Sequence, residues 1–340
     1  MNPSVNDPPI LDKIHELIEL VGASSDDYEG ELAAQLIQVA LKLLVDKTDL
    51  GQMKLMTRAL KEMRYAYRTF SRYPLTRRVS IFGSARTPES HPDYRAALDF
   101  SRRMAEARWT CMTGAAEGIM KAGLQGAEQQ QRFGLSILLP WESGANPLID
   151  KDPKLIMFRY FFTRKLMFVS HSDAFAAFPG GYGTMDELFE VLTLLQTGKS
   201  EIVPVVLIEG VERDYWKSWE EYVISQLLEN GWISSKDQNL YYMAKNPQDA
   251  CRHILHFYSN YHSSRYVKDQ FVIRLHKEPR AEILQALSKE FAPLIERGEI
   301  EKVPPFPEEN DALELPRIAF VNTRKDLSGL RHLIDRLNDL

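Results

Sequence analysis

From Val79 to Glu229 the sequence alternates short apolar runs with longer segments whose apolar residues recur at three- and four-residue spacing, and this alternation constrains the fold more than any other feature. The runs at 79–82, 110–113, 135–139, 174–178 and 203–208 read as strands, and the segments at 94–108, 118–130, 160–170, 184–196 and 215–229 as helices. Strands that alternate with helices imply right-handed crossovers and a mostly parallel sheet covered on both faces. The expected fold class is therefore α/β, a doubly wound, Rossmann-like domain. Ligands in such sheets sit beyond the carboxyl ends of the strands. Three glycine-bearing turns fall there, "FGSA" with Gly83 and Ser84, "MTGAAEG" with Gly114, and "FPGGYGT" with Gly180, Gly181 and Gly183.

The flanks have a different character. Residues 1–75 carry three amphipathic helical patterns, "ILDKIHELIEL", "YEGELAAQLIQVALKLLV" and "GQMKLMTRALKEMRYAYRTF", and read as a helical extension. The Rossmann-like domain is placed at 76–262. Residues 263–340 read as a small α+β appendage, with strands at 271–275, near 300–303 and at 317–321, and helices at 280–294 and 327–337. The acidic, proline-rich loop "PPFPEENDALELP" divides it. A formal net charge of -5 argues against a general nucleic-acid binder. Two distant cysteines, Cys111 and Cys251, offer neither a disulfide framework nor a zinc site and suit a reducing cytosol. With neither a signal-like amino end nor an apolar span of membrane length, a soluble cytoplasmic protein is expected.

The turn "FPGGYGTMDEL" admits two readings. In one, Thr184 is the N-cap of a helix and Glu187, three residues on, completes a capping box. That leaves the two glycines before Tyr182 unexplained. In the other, the glycines bare backbone N–H groups at a helix N-terminus, where the macrodipole favours an anion, with Gly183 in a left-handed conformation. A dinucleotide fingerprint is absent, since "FGSARTP" holds one glycine and the second strand ends in "CMTG". "PGGYGTM" also lacks the lysine of a Walker A loop.

The stretch "FFTRKLMFVSHSDAFAAFPGGYGTMDELFEVLTLLQTGK" resembles the Lonely Guy family of phosphoribohydrolases, and specifically its larger bacterial branch, over about residues 78–258. The family motif P-G-G-x-G-T-x-x-E is matched by Pro179, Gly180, Gly181, Gly183, Thr184 and Glu187, with Arg164 and Lys165 as the upstream pair. The resemblance implies release of the base from nucleoside 5'-monophosphates, cytokinin nucleotides among them, without metal or organic cofactor. It implies that Gly181, Tyr182, Gly183 and Thr184 hold the 5'-phosphate. Arg164 and Glu187 would be catalytic, with Lys165, Asp186 and Thr193 close to the substrate. A carboxylate beside the anomeric carbon can stabilise the positive charge that builds on the ribose or orient the attacking water. Arg164 can hold that carboxylate and contact phosphate or ribose oxygens through its planar fork.

This sequence departs from the family at Ala115 and Ala116, where glycines are usual, and at a substrate-binding glutamate for which Asn146 and Glu142 are the nearest counterparts. Read by themselves, Arg164 is a surface salt-bridge residue, Asp186 a first-turn helix carboxylate, His171 and His253 structural, and Tyr241 and Tyr242 packing residues. The apolar "LFEVLTLLQ" suits the seam of a homodimer or a helix packed on its own sheet. A non-catalytic nucleotide carrier or sensor on the same fold would keep the glycine cradle without needing both Arg164 and Glu187.

Overall fold

A computed structural model describes residues 5–73, 76–139, 144–210 and 214–340. It divides into two compact units, one ending at Arg64 and the other beginning at Tyr65. The first holds α1 (Pro8–Leu20), α2 (Tyr28–Val45) and most of α3 (Leu50–Phe70). Asp27 caps α2 by accepting the N–H of Gly30 at 2.7 Å, and Ile14, Ile18 and Ala34 form a small core.

The second unit is built on a seven-stranded sheet in the order β4-β3-β2-β1-β5-β6-β7. Its strands are β1 (Arg78–Phe82), β2 (Thr110–Thr113), β3 (Arg132–Ile137), β4 (Leu155–Phe158), β5 (Ala174–Ala177), β6 (Val205–Leu207) and β7 (Tyr242–Met243). Every neighbouring pair is parallel. The helices between them are α4 (Pro92–Glu106), α5 (Ile119–Gln125), α6 (Phe161–Ser170), α7 (Tyr182–Thr197) and α8 (Tyr215–Tyr222), and α9 (Pro247–Phe257) follows β7. Val79 and Ile81 pack with Phe100 and Met104 of α4, Ile119 and Ala122 of α5 and Ile254 of α9, all buried. The chain winds outward from β1 to β4, then returns to lay β5 on the other side of β1. This is the topological switch point, and the crevice above it is where an open α/β sheet presents its ligand site.

A four-stranded antiparallel sheet, β10-β11-β9-β8, follows. It comprises β8 (Tyr261–Val267), β9 (Gln270–Leu275), β10 (Ile295–Lys302) and β11 (Arg317–Asn322), with α10 (Ala281–Glu290) and α11 (Leu327–Asn338). Phe271, Ile273, Phe320, Leu330 and Ile334 are among its buried core. Among the described residues no helix is long and apolar enough to cross a membrane.

Several expected elements differ. The helix expected over 118–130 runs only over Ile119–Gln125, and just beyond it Gly126 passes so close to α4 that a Cβ would stand 2.4 Å from the Leu98 carbonyl oxygen. The helix expected over 215–229 is α8 followed by a π-helical turn at Val223–Leu228. β4 lies in a segment read as loose, and β8, "YHSSRYV", alternates too weakly to announce itself.

The proline-rich loop read as a divider supplies a buried anion. Glu309 accepts from Arg274 Nε at 3.0 Å and from Arg317 Nη1 at 2.6 Å, and the three side chains are at most 1% exposed. Removing one member of such a network strands buried charge, whereas apolar replacement of all of it is often tolerated. Glu309→Ala should therefore lower unfolding free energy by about 3–5 kcal/mol in a denaturant titration. Glu309→Leu combined with Arg274→Met and Arg317→Met should recover most of that loss. A single-variant cost below ~1 kcal/mol would show that the network does not hold the appendage together.

Candidate active site

The crevice over the switch point is stitched shut at its floor by backbone hydrogen bonds between the two strand ends. Phe178 N–H donates to the Phe82 carbonyl at 2.9 Å and Ser84 N–H to that of Pro179 at 3.1 Å, while Ile119 N–H donates to Ser84 at 3.0 Å. Gly83 and Gly180 are glycines for steric reasons. A Cβ on Gly83 would lie 2.6 Å from the Ile119 side chain, and one on Gly180 would lie 2.1 Å from Thr184 Oγ1. Tyr215 fixes Gly180 further, its hydroxyl accepting the glycine N–H at 3.2 Å and donating to the glycine carbonyl at 2.6 Å.

The capping-box reading of "GTMDE" is corrected by this geometry. Helix α7 begins at Tyr182 with Gly181 as N-cap, and no side chain caps it. Thr184 and Glu187 thus lie inside the helix, both buried. The left-handed conformation expected at Gly183 is also absent, since positive φ occurs at other glycines. A Cβ on Gly181 or Gly183 would meet nothing within 4 Å, so no protein group demands a glycine at either position. The N–H groups of Gly181, Tyr182 and Gly183 have no acceptor among the described residues. They are the free donors of a helix N-terminus, opening onto a cavity of about 800 Å³.

Arg164 and Glu187 face one another in that cavity. Arg164 sits in the first turn of α6 and Glu187 in the second turn of α7, with Nη2 to Oε1 at 3.4 Å. Their side chains are 13% and 7% exposed. Burial pushes the Glu187 carboxyl up to about 7, against the opposing pull of Arg164 and Lys165. Burial likewise draws the Arg164 guanidinium down, which Glu187 offsets in part. The Arg164 Nε is buried without a hydrogen-bond partner among the described residues. A Cβ at Gly114 would fall 2.7 Å from Met120 Sδ, whereas Arg164 Nη1, at 3.7 Å, would be in ordinary contact with it. The pair combines a carboxyl poised to change charge near neutrality with a guanidinium that has a donor to spare.

Of the other expected site residues, Gly83, Ser84, Gly114, Gly180, Gly181, Tyr182, Gly183 and Thr184 all line the cavity. Lys165, Asp186 and Thr193 do not. Lys165 Nζ instead bridges Asp186 at 2.9 Å and Glu190 at 2.7 Å. Thr193 is exposed and its hydroxyl donates to the Phe189 carbonyl at 2.7 Å. Asn146 is turned to structure, donating to Glu117 at 2.9 Å and accepting the Leu148 N–H at 2.9 Å, and Glu142 lies outside the described residues. Ala115, one of the departures from glycine, does adopt positive φ, at 57°, held by the hydrogen bond of its N–H to Thr113 Oγ1 at 3.0 Å. His171 and His253 are stacked on Phe70 and Tyr242, and burial takes each down to about 4.

The sequence reading missed Arg86, Ser136, Phe161 and Tyr215. The first three line the cavity. Arg86 follows directly on the first glycine turn and was accessible to that logic. Tyr215, 35 residues from Gly180, carries no local signal of its role.

Comparison with known proteins bears on this arrangement. A family model described as "Possible lysine decarboxylase" matches residues 107–254. The chain is 27% identical over 176 residues to the probable cytokinin riboside 5'-monophosphate phosphoribohydrolase LOG4 of Oryza sativa subsp. japonica, across 50% of this chain and 73% of that protein. It is 25% identical over 218 residues to the cytokinin riboside 5'-monophosphate phosphoribohydrolase LOG7 of Arabidopsis thaliana, across 62% and 96%. With LOG4 of Arabidopsis thaliana the identity is 35%, but the match spans only 45% of that relative and 30% of this chain. Among solved structures, the molybdenum cofactor binding protein of Rippkaea orientalis superposes with a TM-score of 0.38 at 19% identity, over 53% of this chain and 95% of that one. That overlap is too loose to bear on a ligand. The matched family model and the relatives that span most of their own length make this chain similar to the Lonely Guy (LOG) phosphoribohydrolases.

Proposed function

We propose that this chain is a hydrolase of nucleoside 5'-monophosphates, cleaving the N-glycosidic bond with water to give the free base and ribose 5-phosphate. Cytokinin riboside 5'-monophosphates enter as candidate substrates through the names of its relatives. The observation that carries the reading is the placement of Arg164 and Glu187 in the same cavity as three unengaged N–H groups of α7. The N–H groups and the helix dipole receive the 5'-phosphate. The apolar walls formed by Met120, Ile137 and Phe161 suit a planar base. Ionised Glu187 then faces the charge developing on the ribose and can take the proton of the attacking water, while Arg164 holds that carboxylate and offers its spare Nε to a substrate oxygen. A pairing of two copies through the α7–α8 face belongs to the same reading, supported by exposed Phe189 and Tyr222 beside Trp219.

The phosphate should supply binding energy remote from the reacting bond. Wild type should process AMP at least ~10²-fold more efficiently than adenosine. Gly183→Val, whose side chain enters open space in the cradle, should retain the wild-type melting behaviour and lose affinity for AMP and ribose 5-phosphate together. Equal efficiency on AMP and adenosine would remove the cradle from the argument. Tight AMP binding with no base released from any purine, pyrimidine or cytokinin monophosphate would make the protein a carrier or sensor.

Glu187 generates a paired expectation. If the ionised carboxylate acts, kcat/KM rises with pH through about 7 and levels above it. Glu187→Gln should lose that limb and at least ~10²-fold in kcat, keeping only the limb of the substrate phosphate. Stability should move oppositely. The buried carboxyl ionises near 7 in the fold and at ordinary carboxylate pH when unfolded, so its burial costs stability increasingly as pH rises between those values and fully above the higher. Thermal melts of Glu187→Gln should match wild type at about pH 4 and exceed it at pH 8. A variant that is less stable at pH 8 would return Glu187 to a structural role.

A further inference from the structure

A second cavity, of about 660 Å³, lies at the opposite end of the parallel sheet, under the first residues of β1 and β5 and against β8. Arg78 lines it and is only 7% exposed, yet its guanidinium makes no hydrogen bond or ion pair among the described residues and lies over the Phe70 ring at 5.2 Å. The carboxylate within electrostatic reach, Asp173, is already engaged, accepting the Arg78 backbone N–H at 2.8 Å and Arg77 Nη1 at 3.3 Å. Arg77 is itself occupied by the Tyr258 ring at 3.5 Å and the His262 carbonyl at 3.1 Å. Lys199, at the far end of α7, lines the same cavity with an ammonium that has no partner among the described residues. Asp173 and Glu201 also line it, so carboxylates stand beside the cations, and burial and then Asp173 push the Glu201 carboxyl upward. The Arg78 nitrogens are not sealed off and open onto the cavity, where an anion can reach them.

We propose that this basal cavity binds a small-molecule phosphate, with Arg78 and Lys199 as the receiving cations. A doubly charged anion matches two cations, and the guanidinium fork presents several donors to neighbouring phosphate oxygens. The site is separate from the glycine loop: β1 carries Arg78 at one end and leads to Gly83 at the other, about 16 Å away along the strand.

Equilibrium dialysis of the full chain against ³²P-labelled orthophosphate tests this by counting. Wild type should bind two phosphates per chain. Arg78→Met should bind one, Gly183→Val should bind the other one, and the double variant none. Lys199→Ala, an exposed substitution that leaves folding intact, should weaken the basal phosphate about tenfold; it decides the question should Arg78→Met fail to fold. A single phosphate lost in Gly183→Val and untouched by Arg78→Met or Lys199→Ala would overturn the proposal. A single phosphate with the reverse sensitivities would sustain it while removing the glycine cradle.

Discussion

Parallel pairing of β1 with β5, from Val79 against Ala174 to Phe82 against Ala177, is the contact on which the candidate site depends. These strands are distant in sequence and become neighbours only because the chain turns back across the sheet. Their register brings Gly83 and Ser84 beside Pro179 and Gly180, and the hydrogen bonds that close this seam leave the following glycines free of protein partners. Helices α6 and α7 then start on the same side, which puts Arg164 within reach of Glu187. A slip of one residue would turn every side chain of β5 to the other face and dissolve this meeting.

Burial of Glu187 shows what the site asks of the fold. An aliphatic residue there would pack at no electrostatic cost, whereas the carboxyl must be held in a poorly solvated place with one long contact to Arg164. Such a placement weakens the folded state in return for a group that changes charge near neutrality. Arg164 carries the complementary defect, a buried Nε without an acceptor among the described residues. Both irregularities lie in one cavity, which is where locally unfavourable choices are expected to gather.

The strand and helix alternation, the glycine turns and the Arg164–Glu187 pair were legible because each rests on local pattern. Strand order was not, since nothing in "AFAAF" says that it lies beside "VSIF". "GTMDE" satisfied the capping-box pattern, but extended Gly181 took the cap and drew Thr184 into the first turn. Lys165 was expected near the substrate through the family's Arg-Lys pair and Asp186 through its nearness in sequence, yet each follows a cavity residue by one position and so points about 100° away around its helix. Thr193 follows Glu187 by six positions, about 240° around α7, and emerges at solvent. Tyr215 and Glu309 act through contacts between distant segments that no window of sequence contains.

Tyr215 has a consequence of another kind. Its single hydroxyl takes the N–H of Gly180 out of circulation and occupies the carbonyl of the same residue. The N–H of Thr184 is spent on Gly181. What the loop has left to offer is the N–H groups of Gly181, Tyr182 and Gly183, and a terminal phosphate monoester presents three oxygens. An internal phosphate in a longer chain presents fewer and carries a further bulky substituent. By fixing the number of donors, a tyrosine outside the cavity lining sets the valence of the loop, and three donors are what the proposed monophosphate end would call for.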